Sequence, residues 1–157
     1  YDSVTGQLVL FFVGAMLDFV NSAERYLFIQ LQYIHPSDAE ANGRFADLVD
    51  ALVRKIGDDR VDVRIIVSQW QTTNGWLDRL QSAGVDLSVV KIQHGVHNKG
   101  FVVDDRAVAL GSQNWSGDGV LWNRDATVII ENANAAKYYK TIFEHDWDNV
   151  AQPAAAE

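Results

Sequence analysis

From His97 to Ser116 the sequence reads HNKGFVVDDRAVALGSQNWS. At its head Lys99 stands two positions after His97, and Asp104 five positions after the lysine. At its tail stands Gly111-Ser112-x-Asn114. The apolar alternation between them is broken by Asp104-Asp105-Arg106, which predicts two short strands joined by a tight polar turn. Side chains alternate along a strand, so His97 and Lys99 share one face, and Ser112 and Asn114 share one face. If the strands pair with those faces together, one patch gathers an imidazole, an ammonium, a hydroxyl and an amide. A phosphodiester asks for those groups: a nitrogen nucleophile, a fixed cation and neutral hydrogen-bond donors.

Outward from this stretch, helices alternate with strands. Leu8 to Glu24 predicts a helix apolar nearly all round, hence buried on more than one side. Arg25 to Ile34 predicts a strand with apolar residues on both faces, as in a sheet covered on both sides, and His35-Pro36 ends it. Phe45, Leu48, Val49, Leu52, Val53 and Ile56 recur at helical spacing, with Gly57 as the stop. Val61 to Ser68 is a strand. Thr73 is the expected N-cap of a short helix ending near Ala83 and Gly84. Leu87 to Ile92 is a third strand, and Asp125 to Glu131 the last. A closing helix from Asn134 to Val150 carries Ala136, Tyr139, Phe143, Trp147 and Val150 as its buried stripe. This order predicts an α/β fold, an α-β-α sandwich with a mixed central sheet. One domain is expected over residues 1–150, with 151–157 as a flexible tail.

Composition narrows the classes. With 157 residues one domain can bury a full core. There is no cysteine, so disulfides, thiolate chemistry and cysteine-held zinc are excluded. Acids outnumber bases 21 to 13, a net charge of −8, which argues against nucleic acid as a partner without forbidding a local basic patch. The apolar run from Leu8 to Leu17 is far short of the roughly 20 residues that span a bilayer, so no transmembrane anchor is expected. The chain starts at Tyr1, and we expect an excised domain or a processed product.

Each candidate has a plainer reading. An ammonium buried without a partner is costly, so phosphate binding explains Lys99 on an apolar strand better than packing does. Asp104, at the far end of its strand from His97, suits the turn and the holding of the fold. Gly111 suits a close backbone approach. Ser112 and Asn114 either satisfy a strand end or contact phosphate. Asp125 either orients an imidazole nitrogen or pairs with Arg124 on the surface. His94 and His97 fall on opposite strand faces, so no metal site is expected, and no cofactor either. His35 and His145 read as structural or exposed. Trp115 and Trp122 are placed to wall a pocket, whereas Trp70, Trp76 and Trp147 read as core or interface. Asn114-Trp115-Ser116 is also a glycosylation sequon, discounted because a glycan would block the patch.

The stretch resembles the phospholipase D superfamily, whose signature is H-x-K-x4-D followed by G-S-x-N. His97, Lys99, Asp104, Gly111, Ser112 and Asn114 all match at that spacing, and Asp125 matches a later acidic position that is glutamate in many members. Gln30-Leu31-Gln32-Tyr33 and the last helix with Trp147 are similar to the family as well. The resemblance implies a metal-free, two-step phosphodiester transfer. One histidine forms a phosphohistidine, and a second, from another copy of the motif, handles the leaving-group proton. Lys99, Asn114 and Ser112 would hold the phosphoryl oxygens, and Asp104 and Gly111 would be structural. The chain has one motif, so the resemblance implies a second motif from a longer parent chain or a homodimer mate. Phospholipid is favoured over nucleic acid on charge. The alternatives are an endonuclease of the same fold and a non-enzymatic interaction domain that kept it. Nothing in the sequence assigns a cellular site.

Overall fold

A computed structural model describes residues 3–36 and 43–154, with side chains of the first helix from Phe11 onward. The described elements are helix α1 (Ser3–Asn21), strand β1 (Tyr26–Leu31), α2 (Gly43–Ile56), β2 (Asp62–Ser68), a short α3 (Trp76–Ser82), β3 (Val90–Gln93), β4 (Lys99–Val103), β5 (Ala107–Gly111), β6 (Thr127–Glu131), α4 (Ala133–Asn149) and β7 (Gln152–Pro153). They build one seven-stranded sheet in the order β6-β5-β4-β1-β2-β3-β7. β1, β2 and β3 run parallel, and the remaining neighbours pair antiparallel. The sheet is mixed, and its central strands are covered on both faces.

β1 is central and buried along its whole length. Leu27, Ile29 and Leu31 meet Val13, Met16 and Phe19 of α1 and Phe45, Leu48 and Leu52 of α2. Phe28, on the opposite face, joins Ile66, Val102, Val108 and Phe143 of α4. Each such side chain, fully withdrawn from water, contributes about 1.5–3 kcal/mol. Apolar residues on both faces of β1 are therefore what places it in the middle.

The β4–β5 turn ties the motif to β1. Asp104 and Asp105 both have positive φ, at 53° and 51°, the pattern of a type I′ hairpin turn that aspartate tolerates. The Asp104 carboxylate accepts the backbone N–H groups of Glu24, Arg25 and Tyr26 at 2.7, 2.9 and 2.9 Å. Burial alone would raise its pKa, but these three N–H groups and the Arg25 charge outweigh burial and hold it below the ordinary value. We expect Asp104→Ala to lower unfolding stability by about 1–3 kcal/mol at neutral pH, discounted for solvent. Because the folded-state pKa is depressed, the contribution is whole above the unfolded pKa and is lost as pH falls through the folded one. Chemical denaturation at several pH values should show the gap between parent and variant closing in acid. Equal stability at neutral pH would show the clamp to be idle.

Several expected boundaries move. α1 starts at Ser3 and ends at Asn21, and Phe11 is 79% exposed, so this helix is not buried on every described side. Leu8 to Leu10 lie outside the described side chains. β1 stops at Leu31, after which Ile34 makes a single bridge to Trp115. Thr73 does not cap α3. Its hydroxyl donates to the Trp70 carbonyl, and Gly75, in the left-handed region, precedes the helix. Leu87–Val89 is a 3-10 turn capped by Asp86, which shortens β3 to Val90–Gln93. Val150 leaves the stripe and is 45% exposed, since α4 has already ended. The expected tail is ordered at its start: Ala151 is buried, β7 pairs with β3, and the Ala154 N–H donates to the Val90 carbonyl. Residues 155–157 lie outside the described set.

Candidate active site

Topology brings the carboxyl end of β1, the start of β4 and the end of β5 together at one end of the strands. Gln30 is level with Gly100, and Lys99 with Gly111. His97 itself lies just before β4, in an irregular segment outside the ladder, and is exposed. The expectation that His97 belongs to the strand is corrected here, yet the imidazole and the ammonium still meet. Lys99 Nζ lies 3.5 Å from His97 Nδ1 and donates to the His97 carbonyl at 2.6 Å.

Lys99 is 6% exposed. Its ammonium also donates to Gln32 Oε1 at 3.3 Å. The same oxygen accepts from Asn114 Nδ2 at 3.3 Å. Burial pushes the Lys99 pKa down, and the charge of Asp125 offsets part of that. Among the described residues no carboxylate pairs with Lys99 directly; its hydrogen-bond partners are neutral. Asn114 Oδ1 is buried and has no partner among the described residues.

Two glycines set the surrounding backbone. A Cβ on Gly111 would lie 2.8 Å from Thr127 Cα and press on the Ala126 carbonyl, so only glycine lets β5 and the entry to β6 approach this closely. A Cβ on Gly119 would collide with the Asn114 carbonyl and sit 3.1 Å from its carbon, so the tight π-turn over Asp118–Trp122 is seated against the backbone that presents Asn114. Gly119 was invisible to sequence reasoning, because no spacing rule links it to Asn114.

The acid departs from expectation. Asp125 precedes β6 rather than opening it, and its Oδ1 accepts from Ser112 Oγ at 2.8 Å. Ser112 Oγ in turn accepts from the Ala126 N–H at 3.2 Å. Asp125 therefore anchors the serine and acts on Lys99 through space. Behind the motif, Asn98 Nδ2 donates to Gln30 Oε1 at 2.7 Å, and Gln30 Nε2 donates to Asp146 of α4 at 3.0 Å. The tryptophans redistribute too. Trp115 is core at 1% exposed, packed on Phe101, whereas Trp70 is exposed. Trp122, with Phe11, Phe12 and Met16, lines an apolar groove of about 590 Å³ that reaches Asp125.

A family model described as cardiolipin synthase, PLD-like domain, matches residues 16–147, which contain Gln32, His97, Lys99, Ser112, Asn114 and Asp125. The chain belongs to the phospholipase D superfamily. Members of this superfamily form a phosphodiesterase family, and the chain shares its α/β fold. Nuc of Salmonella typhimurium, a phospholipase D family member, superposes with a TM-score of 0.69 at 20% identity, covering 91% of this chain and 90% of that one. Among curated proteins, a mitochondrial cardiolipin hydrolase of Chlamydomonas reinhardtii is 25% identical over 87% of this chain and 57% of its own length. A 5′-3′ exonuclease PLD3 of Xenopus laevis is 19% identical over 86% of this chain and 34% of its own length. The chain thus spans about a third to just over half of these curated relatives. Among the described residues no helix is long and apolar enough to cross a membrane.

Proposed function

We propose that this phospholipase D-like chain supplies one half of a phosphodiesterase site that cleaves or transfers a phosphodiester through a phosphohistidine. The observation that carries the reading is the buried Lys99 ammonium, bonded to neutral oxygens and placed beside His97. A cation so desolvated gains most from an anion delivered by the substrate. In the first step an imidazole nitrogen bonds phosphorus, the bond to the leaving oxygen breaks, and a second histidine gives that oxygen a proton. In the second step a water or alcohol oxygen attacks phosphorus, the second histidine takes its proton, and the N–P bond breaks. Lys99 and Asn114 hold the phosphoryl oxygens, Ser112 lines the same end of the strands, and Asp125 keeps Ser112 in place and supports the charge on Lys99.

One His97 cannot fill both roles in a single transition state, so a second motif completes the site. The face for it is β6, an end strand of the sheet whose Val128, Ile129 and Ile130 are exposed, flanked by Phe11 and by Trp122 at 55% exposure. An apolar sheet edge of this kind invites pairing. Its occupant is a second copy of this chain or the other half of a longer parent.

Phospholipid is the favoured substrate class, supported by the net charge of −8 and by a cardiolipin hydrolase among the relatives. Nuclease action is the second reading, supported by a 5′-3′ exonuclease among the relatives. One preparation incubated with anionic phospholipid vesicles and, separately, with single-stranded and plasmid DNA distinguishes the two. Release of lipid head group with intact DNA is expected. Cleaved DNA with intact lipid selects the second reading, and silence in both assays from a proven dimer removes the enzymatic one.

A further inference from the structure

Gln32 lies two residues beyond Gln30 on the chain and just past the end of β1. Its backbone carbonyl accepts both the Ser68 N–H at 3.1 Å and Ser68 Oγ at 2.6 Å, so the residue is pinned before its side chain is considered. Its amide orientation is also decided. An ammonium has donors and no acceptor, so the Gln32 atom that faces Lys99 Nζ has to be oxygen. The Asn114 amide nitrogen donates to the same oxygen. Two donors thus lock Oε1 and turn Nε2 the other way.

That nitrogen has no acceptor among the described residues. Nor is it sealed in the interior: the buried side-chain atom left without a partner is Asn114 Oδ1, and Gln32 is half-buried. An N–H pair fixed in direction, within reach of solvent and carried on an amide whose oxygen bridges a buried cation and a second amide, is prepared for an acceptor that arrives from outside. Resting on the phosphodiesterase reading above, we propose that Gln32 is a phosphate-binding residue whose Nε2 donates to a phosphoryl oxygen of the substrate. The locked orientation means that little amide rotation has to be frozen when the anion binds. It also couples the donors. The cation and the amide that hold the phosphate are the groups that aim Gln32 at it.

The experiment is an oxyanion titration followed by NMR, which needs no turnover. Inorganic tungstate is added to the full chain while the side-chain amide signals are recorded, the Gln32 pair being assigned by its loss in Gln32→Glu. We expect one Gln32 amide proton to move downfield and saturate with the same Kd as backbone signals around Lys99 and Asn114. Gln32→Glu keeps an oxygen for Lys99 and Asn114 but has no donor, and Gln32→Met removes both functions without adding charge. Tungstate should bind about tenfold or more weakly to each, with the Gln32→Glu loss persisting at high salt, where through-space repulsion is screened. A Gln32 signal that stays still while the Lys99 neighbours shift overturns this assignment and leaves the phosphodiesterase reading standing. No binding at all by the parent chain overturns both.

Discussion

His97→Asn is expected to abolish turnover while leaving the fold untouched. The imidazole is exposed and precedes the β4 ladder, so its removal opens no cavity and breaks no strand pairing. It does remove the nitrogen that bonds phosphorus or protonates the leaving oxygen, and asparagine can do neither. A loss of at least about a thousandfold follows, roughly 4 kcal/mol in barrier height. The thermal midpoint should match the parent, and tungstate should still bind, because Lys99 and Asn114 meet at Gln32 without help from the ring. Steady-state kinetics beside a melting curve decides the matter. Rates within tenfold of the parent would remove His97 from the chemistry. A collapsed melting temperature would instead assign the residue to the fold.

The second large effect is on concentration. If the chemistry needs two copies of His97, specific activity should track the dimer fraction and nearly vanish in monomer. Dilution followed by light scattering and by rate gives the two curves to compare. Mixing sharpens the comparison. When parent and His97→Asn protein exchange subunits, heterodimers lack one histidine, so activity should fall as the square of the parent fraction. A linear fall, or full specific activity in a proven monomer, would contradict the two-motif mechanism for this chain. Charge on the β6 face should mimic dilution: Ile129→Lys places an ammonium on the exposed apolar edge and is expected to favour the monomer.

Much of this was legible in the letters because two periodicities carry it. Alternation marked the motif strands and the two-faced burial of β1, and helical spacing marked α2 and α4. The features that sequence reasoning missed arise from contacts between distant segments. Gln32 looks like an ordinary polar residue at a strand end until Lys99 and Asn114 converge on it from 67 and 82 positions away. For Asp125 the letters offered an imidazole or Arg124 as partner, but the register of β5 on β6 delivers it to Ser112. Trp115, expected at a pocket wall, is core because it lies in no periodic segment that fixes its direction. β7 gave no warning, since two residues with a proline carry no strand signal of their own and are ordered by the edge of β3.

The Asp104 clamp has a consequence for how the chain folds. The β4–β5 hairpin is local and can form in about 1–10 μs. Its carboxylate, however, grips backbone 78 to 80 positions upstream, and closing so long a loop delays that contact until the intervening helices and strands have condensed. The Lys99–Gln32 and Asn114–Gln32 contacts depend on the same closure, because Gln32 continues the strand that Asp104 seizes at its start. Partly folded chains therefore carry the motif without the anion cradle, and oxyanion binding should appear in refolding kinetics only with the slowest structural phase.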